Sequence, residues 1–377
     1  MKNLQWKMKL KLRLFLLVSA ALFAGCKTSQ GPSGFAFVPA TALEKLAKQA
    51  PNEVSVMTYN VENLFDTIHD DGREDFTYLP LTEKNHPQVK AFCSSQSGFR
   101  RQECEETDWS EKILQQKFAA VAEVIRSVEN GKGPDVLLLA EVENERVLKQ
   151  LVSLQLKDLG YQTVVLLEGP DVRGIDPGFI SKLPLSGKPK MHIIPYVEAN
   201  PEKLKWAQRS RGILEVSVVL PNKNPLTFLI GHFPSQANPV EWRMQAVAFA
   251  KNLMAEKMKQ GSAVVLGGDL NITTEENAQH GFFTKEFSEV GQVSHIVGCA
   301  DCFGTYNYKG RWDFLDALIF SKNLNVVGAE VIADSFQTVR LPINMKKNGN
   351  PLKFDPTQKV PGASDHFPLY SRIRLIK

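Results

Sequence analysis

Polar residues able to do chemistry recur at the ends of apolar runs. Asn60 closes the run Val54–Tyr59, Glu141 follows Val136–Leu139, and His232 ends Leu226–Ile230. Asp269 and Asn271, in Gly267-Gly268-Asp269-Leu270-Asn271, follow Val264–Leu266. Asp316 lies inside Trp312–Phe320, and Ser364-Asp365-His366 stands just before the last run, Leu369–Leu375. Carboxylates and amides hold hard cations, and imidazoles paired with carboxylates move protons. Set just past buried strands, these groups form one site if the strand ends converge, as they do in α/β folds.

The runs that must position them are short and β-branched or aliphatic. Val54–Tyr59, Asp135–Ala140, Thr163–Leu167, Gly178–Ser181, Gly212–Leu220, Thr227–His232, Ala263–Leu266, Phe314–Phe320, Val326–Ile332 and Leu369–Leu375 predict about ten strands. Amphipathic helices are predicted between them: one carries Leu114, Phe118, Val121, Ile125 and Val128 after the cap Ser110. Another carries Val240, Met244, Val247 and Met254 after Asn238-Pro239, and a third spans Glu145 to Lys157. Strands and helices alternate in both halves with no Gly/Ser linker, which predicts one α/β domain with two packed sheets and helices outside. Three stretches lack a period: Thr67 to Trp109, expected to be a long stapled loop; Asn277 to Asp301, rich in turn residues; and Arg340 to Gly362, expected to be a mobile loop.

The order Asn60, Glu141, His232, Gly268-Asp269-Leu270-Asn271, Asp316, Ser364-Asp365-His366 resembles the endonuclease/exonuclease/phosphatase superfamily, the fold of pancreatic-type deoxyribonuclease. The resemblance covers roughly residues 52–377 and implies a four-layer α-β-β-α sandwich. More narrowly, Tyr59 to Asp66, Glu141 to Leu148, Asp171 to Asp176 and His232-Phe233-Pro234-Ser235 look like an exported bacterial branch. Pro177-Gly178 stands where that branch has apolar strand residues, which predicts one distorted strand.

The implied chemistry is phosphodiester hydrolysis. The ester is anionic and slow to react, so a divalent cation must neutralise oxygen charge, and Mg2+, with Mn2+ or Ca2+ as substitutes, suits carboxylate and amide oxygens. Glu141 is the principal expected ligand, with Asn60 and Asp365 as close or water-mediated partners. His366 held by Asp316 is the expected general base, and Asp269 is its rival. Asn271 and His232 would hold the non-bridging oxygens, His232 also serving the leaving group, and Arg173 would contact phosphate. Singly, each has a plainer reading as a turn former, a solvated acid or a core histidine. Asp171, Asp176 and Arg243 read as structural groups.

Composition sets the bounds. The 377 residues are 43% hydrophobic and 23% charged, which excludes a disordered or low-complexity chain. The formal charge of +4 comes from the N-terminus: residues 1–25 hold Lys2, Lys7, Lys9, Lys11 and Arg13 and no acid, and the remainder has 40 basic residues against 41 acidic. Global charge therefore gives no argument for nucleic acid. The same 25 residues have the plan of a signal peptide, and Leu22-Phe23-Ala24-Gly25-Cys26 resembles a bacterial lipobox. Residues 1–25 are expected to be removed, Cys26 to carry lipid at a membrane, and residues 26–51 to form a flexible tether to a domain of residues 52–377.

Cys93, Cys104, Cys299 and Cys302 remain, an even number that suits disulfides in an exported chain. Of three connectivities, the local pairs Cys93–Cys104 and Cys299–Cys302 are the simplest. Cys299-Ala-Asp-Cys302 lacks the further Cys or His ligands of a zinc site.

The expected protein is a monomeric, lipid-anchored, metal-dependent phosphodiesterase, first of all an endonuclease on DNA. The alternatives are a phosphohydrolase of lipid head groups or inositol phosphates, and a catalytically silent binding module, although no site residue is missing. A nuclease needs a local basic patch, for which Arg340, Lys346, Lys347, Lys353 and Lys359 are the candidates.

Overall fold

Residues 39–299 and 302–376 are described by the computed structural model, and the leader and Cys26 lie outside them. Among the described residues fifteen strands follow in order: β1 Glu53–Leu64, β2 Val136–Val142, β3 Thr163–Leu166, β4 Asp176–Ser181, β5 Lys190–His192, β6 Ile213–Val219, β7 Pro225–His232, β8 Val264–Asp269, β9 Gly291–Val293, β10 Tyr306–Tyr308, β11 Arg311–Asp313, β12 Asp316–Ser321, β13 Ala329–Val331, β14 Gln337–Thr338 and β15 Leu369–Leu375. One sheet is ordered β13-β15-β1-β2-β4-β3, with β14 also on β15, and the other β5-β6-β7-β8-β12-β9. The ribbon β10-β11 stands apart. Each sheet contains a parallel pair, β1 with β2 and β7 with β8, whose carboxyl ends carry Asn60, Glu141, His232 and Asp269.

Both faces of each sheet are buried, which is why the strands read as continuous apolar runs. Val54, Val56, Val136, Leu138 and Phe179 of one sheet meet Leu214, Val216, Phe228, Ile230, Val265 and Phe320 of the other. The alternate residues Met57, Leu137 and Leu139 face outward onto α3 (Glu111–Arg126) and α4 (Glu145–Gln155), through Leu114, Phe118, Val121, Leu148 and Leu151. Behind the second sheet, Leu229, Val264, Leu266 and Ile319 pack on Ala246, Val247 and Ala250 of α6 (Val240–Lys259). The result is the expected α-β-β-α sandwich.

Several local expectations change. Thr67 to Trp109 contains two helices, α1 (Pro87–Ser95) and α2 (Gly98–Glu106), joined by the Cys93–Cys104 disulfide over a small core of Phe76, Leu79 and Val89. Few apolar residues sit on these helices, so no helical period shows in the sequence. Asn277 onward is likewise ordered, as the end of α7 (Thr274–His280), a wide helical turn at Phe282–Phe287 and β9. Ser110 precedes α3 but its hydroxyl turns to Asp108 at 3.1 Å instead of capping the helix. The predicted strand Val326–Ile332 shortens to β13 behind a single turn at Leu324–Val327. Arg340 to Gly362 is tied down by backbone bonds from Leu352 to Asn344 and from Asp355 to Pro361. Packing reaches back into the expected tether, since Leu46 is fully buried and Thr41 bonds to the Thr338 carbonyl at 2.5 Å. Cys299 and Cys302 are also joined. Among the described residues, no helix is long and apolar enough to cross a membrane.

Candidate active site

Glu141 owes its position to irregular pairing on both sides. Toward β1 the register passes from Asn60↔Ala140 to Leu64↔Val142, and toward β4 from Leu139↔Gly178 to Val142↔Asp176. Pro177 therefore lies opposite the bulge: β4 stays a strand, and the distortion expected there falls in its pairing with β2. Glu141, Glu62, Asn63 and, past β8, Asn271 all hold left-handed backbone, with φ between 51° and 65°. Such conformations cost about 1 kcal/mol each or more, and they cluster at functional sites. The Glu141 carboxylate accepts the Asn63 amide N–H at 3.0 Å and the Asn60 Nδ2 at 3.0 Å.

The second carboxylate comes from the other sheet. At Gly268 the backbone (φ 136°) passes so close to Gly231 that a Cβ would overlap its carbonyl, which explains the glycine before Asp269. Asp269 Oδ1 accepts the Asn271 N–H at 2.9 Å, and Asn271 Nδ2 donates to the Phe233 carbonyl at 3.1 Å. Oδ2 is the meeting point: Asn60 Nδ2 lies at 3.0 Å, His232 Nε2 at 3.7 Å and His366 Nε2 at 4.0 Å. His232 Nε2 is also 3.8 Å from Glu141 Oε1, while its buried Nδ1 has no partner.

His366 is fixed from three directions. Its Nδ1 is 2.7 Å from Asp316 Oδ2, its backbone N–H donates to Ser364 Oγ at 3.0 Å, and Ser364 Oγ donates to the Asn60 carbonyl at 2.6 Å. Asp316 in turn pairs with Asp269 across β12 and β8. Burial works against the charged imidazole of His366, but Asp316, with Asp269 and Asp365, holds its pKa well above the ordinary histidine value. His232 moves the other way: burial, then the charges of Arg211, Arg173 and His366, push it far down and keep it neutral. Burial raises the Asp269 carboxyl to about 7; Asp316 and Glu141 add to the rise, and His366 and the Asn60 hydrogen bond oppose it.

These donors suit a divalent cation. One oxygen each from Glu141 and Asp269 and one nitrogen of His232 lie within 4.8 Å of one another. Two carboxylates facing each other repel unless a positive charge joins them, and oxygen-rich sets select hard ions. Asn60 turns its NH2 to both carboxylates and its Oδ1 to the Glu62 N–H at 2.9 Å. Asp365 is half-buried and adds its charge to the field at Glu62, Tyr59 and His366. Arg173, 52% exposed, stands at the rim with Nε 3.7 Å from Asp171. Arg243 is locked structurally onto Glu276, as expected.

The lysine-rich segment does not form one open patch. Arg340 is buried, its guanidinium 5.4 Å from the Phe303 ring centre, and Lys353 pairs with Glu62 at 2.9 Å; Lys346, Lys347 and Lys359 are exposed.

Sequence reasoning missed two buried cations. Arg211 bonds the Phe233 carbonyl at 3.1 Å and Asp171 at 3.4 Å. It precedes β6, whose start lies beside the end of β7. Lys117 donates to the Ala363 carbonyl at 2.7 Å, next to Ser364. A lysine one residue before Phe118 on the apolar face of α3 was the available signal, and for Arg211 it was the rule that antiparallel strands reach the site with their first residues.

Residues 100–375 match the Endonuclease/Exonuclease/phosphatase family, and the chain belongs to that family. It is accordingly a metal-dependent phosphoester hydrolase. Solved structures share the fold. An endonuclease/exonuclease/phosphatase from Beutenbergia cavernae DSM 12333 is 15% identical, with 86% of this chain and 72% of that one covered and a TM-score of 0.53. A functionally unknown conserved protein from Enterococcus faecalis V583 is 14% identical, with 85% and 100% covered and a TM-score of 0.51. TDP2 from C. elegans is 15% identical, with 85% and 75% covered and a TM-score of 0.50. No curated protein sequence matches the chain.

Proposed function

We propose that the chain is an exported, lipid-anchored, Mg2+-dependent nuclease that cleaves DNA internally. The observation that carries the catalytic part is the meeting of Glu141 and Asp269, one from each sheet, beside the His366–Asp316 pair. When bound, the cation supplies positive charge to the phosphate oxygens and to the departing oxygen. Glu141 holds it, with Asp365 and Asn60 close by, and the NH2 of Asn60 keeps the Glu141 and Asp269 carboxylates aligned. Asp269 is the better proton acceptor of the two rivals. Its Oδ2 is the meeting point of Asn60, His232 and His366, whereas Asp316 keeps His366 charged and so without a free lone pair to accept a proton. His366 then donates from Nε2 to a non-bridging oxygen, and neutral His232 donates from Nε2 on the side of Glu141. Asn271 braces Asp269 against Phe233, and Arg173 waits at the rim for a phosphate further along.

Export and anchoring rest on the leader and Cys26. Replacing Cys26 with Ser should release the protein from membranes, and unchanged fractionation removes the anchor. The substrate is tested with full-length protein and Mg2+ on plasmid DNA, RNA, sphingomyelin and inositol phosphates; turnover of a lipid or inositol ester without nucleic acid cleavage replaces the nuclease with the phosphohydrolase. That second reading has one observation in its favour, the exposed Tyr308 on the ribbon that starts beside His366.

A further inference from the structure

The ribbon β10-β11 extends from the site. Tyr306 at its base pairs by backbone with His366, and the two rings lie 4.9 Å apart. The ribbon is held firmly. Thr305 donates to the Asp313 carbonyl at 2.9 Å, and the Phe367 N–H to the Thr305 carbonyl at 2.8 Å. On the far face, Trp312 stacks over Phe367 at 6.0 Å and 12°. The tip is a two-residue turn of Lys309 and Gly310, both at positive φ (51° and 88°), the geometry that matches strand twist.

Side chains alternate along such a ribbon, so Tyr306 and Tyr308 share one face and Asn307 and Trp312 the other. Tyr308 is 52% exposed, and the Lys309 ammonium lies 5.2 Å from its ring centre. Arg311, opposite Tyr308, is 3.3 Å from Asp313 and 3.4 Å from Glu275. An exposed aromatic ring therefore stands about 7 Å along the strand from the ring that touches His366. That gap is one a single nucleotide can bridge. The lysine-rich segment offers a long duplex only part of its charge, because Lys353 is paired with Glu62 and Arg340 is buried, which leaves Lys346, Lys347 and Lys359 exposed. Stacking on a ring needs an unpaired base, whose faces are free; in a duplex they are covered.

We propose that Tyr308, set at its distance by Tyr306, is a stacking subsite for an unpaired nucleobase flanking the scissile phosphate, so that the favoured substrate is single-stranded nucleic acid. This rests on the nuclease reading and sharpens it. The test uses full-length protein with Mg2+ and a labelled oligonucleotide, offered single-stranded, as a duplex, and with an abasic sugar at each position flanking the cut. Wild type should prefer the single strand to the duplex, and the intact strand to one abasic strand by about 5- to 100-fold. In Tyr308→Ala the second ratio should fall to about one, and Tyr308→Trp should restore it. A ratio unchanged in Tyr308→Ala, or a wild-type preference for the duplex, overturns the subsite and leaves the nuclease standing. Loss of vesicle binding in Tyr308→Ala with unchanged oligonucleotide kinetics assigns the ribbon to a membrane instead and also overturns it. If wild type cleaves no nucleic acid at all, both readings fall together.

Discussion

Two carboxylate clusters grow from the ends of the same neighbouring strands, and they are built oppositely. Beyond β1 and β2, Asp66 accepts Arg146 Nε at 2.6 Å and the Ile68 N–H at 2.8 Å, and Asp70 accepts Arg146 Nη2 at 2.8 Å and Asn144 Nδ2 at 2.7 Å. Glu143 accepts the Asp66 N–H at 2.7 Å. Each of these acids has found a donor, and the cluster clamps the start of the insertion to α4. A few residues back along the chain, Glu141 faces Asp269, while His232 Nδ1 and Asp316 Oδ1 are buried without a partner. The saturated cluster is neutralised by the Arg146 guanidinium, whereas Glu141 and Asp269 accept only from amide N–H groups and have unpaired buried polar atoms beside them, as the proposed site requires.

Substitution should separate the two roles. The largest effect is expected for Glu141→Gln: hydrolysis of a phosphodiester in Mg2+ falls about a thousandfold, several kcal/mol of barrier, while thermal unfolding is unchanged or shifts upward as the repulsion with Asp269 is relieved. Excess EDTA should do the same to the wild type. Full activity in either case breaks the contrast.

Asp316→Ala and His366→Ala should each lower kcat by about a hundredfold or more, and the double variant should be no worse than the poorer single one. Multiplying losses would mean that the pair does not act as a unit.

In the saturated cluster the order of effects inverts. Arg146→Met leaves Asp66 without its cation and, because the guanidinium is half-exposed, should cost about 1–2 kcal/mol in urea unfolding, with kcat per folded molecule within about twofold of wild type. A large kcat loss at full stability would erase the distinction between the clusters.

Glu143 provides a pH signature. Burial beside Asp66 raises its carboxyl from 4.5 to about 9. The folded pKa lies above the unfolded one, so the stability this group contributes is complete below pH 4.5 and is lost as pH rises toward about 9. Glu143→Gln should flatten the melting temperature over that interval, and an unaltered slope would reject the assignment.

The smallest effect on kcat belongs to the insertion. Replacing Cys93 and Cys104 together by Ala should cost about 2–3 kcal/mol and leave kcat nearly intact. A chain starting after Cys26 should show no reactive thiol under native conditions; two or more would reject the pairing.

The sandwich was legible because strands buried on both faces leave unbroken runs such as Val136–Leu139, and the residue after such a run is where a parallel strand ends. Asn60, Glu141, His232 and Asp269 were found by that rule. Which of them approach each other was not written in any spacing, because Glu141 and Asp269 belong to different sheets and meet only when these pack. Strands of three residues, such as β10 and β11, carry too little alternation to be seen, and α1 and α2 are polar helices stabilised by a cross-link rather than by an apolar stripe. Arg211 and Lys117 carry no such mark, because one stands before a strand and the other inside a helix.

The bulge between Ala140 and Val142 stores the position of Glu141 as a count of residues. Side chains alternate with a period of two, so adding or removing one residue there, or between Asn60 and Leu64, would turn a whole strand end to its opposite face. A change of length there is thus as dangerous to this site as the loss of Glu141 itself, while the insertion carrying α1 and α2, with its own small core and cross-link, can lengthen or shorten with far less consequence. Descent of related chains should therefore leave the two short windows constant in length and record its gains and losses in the insertion.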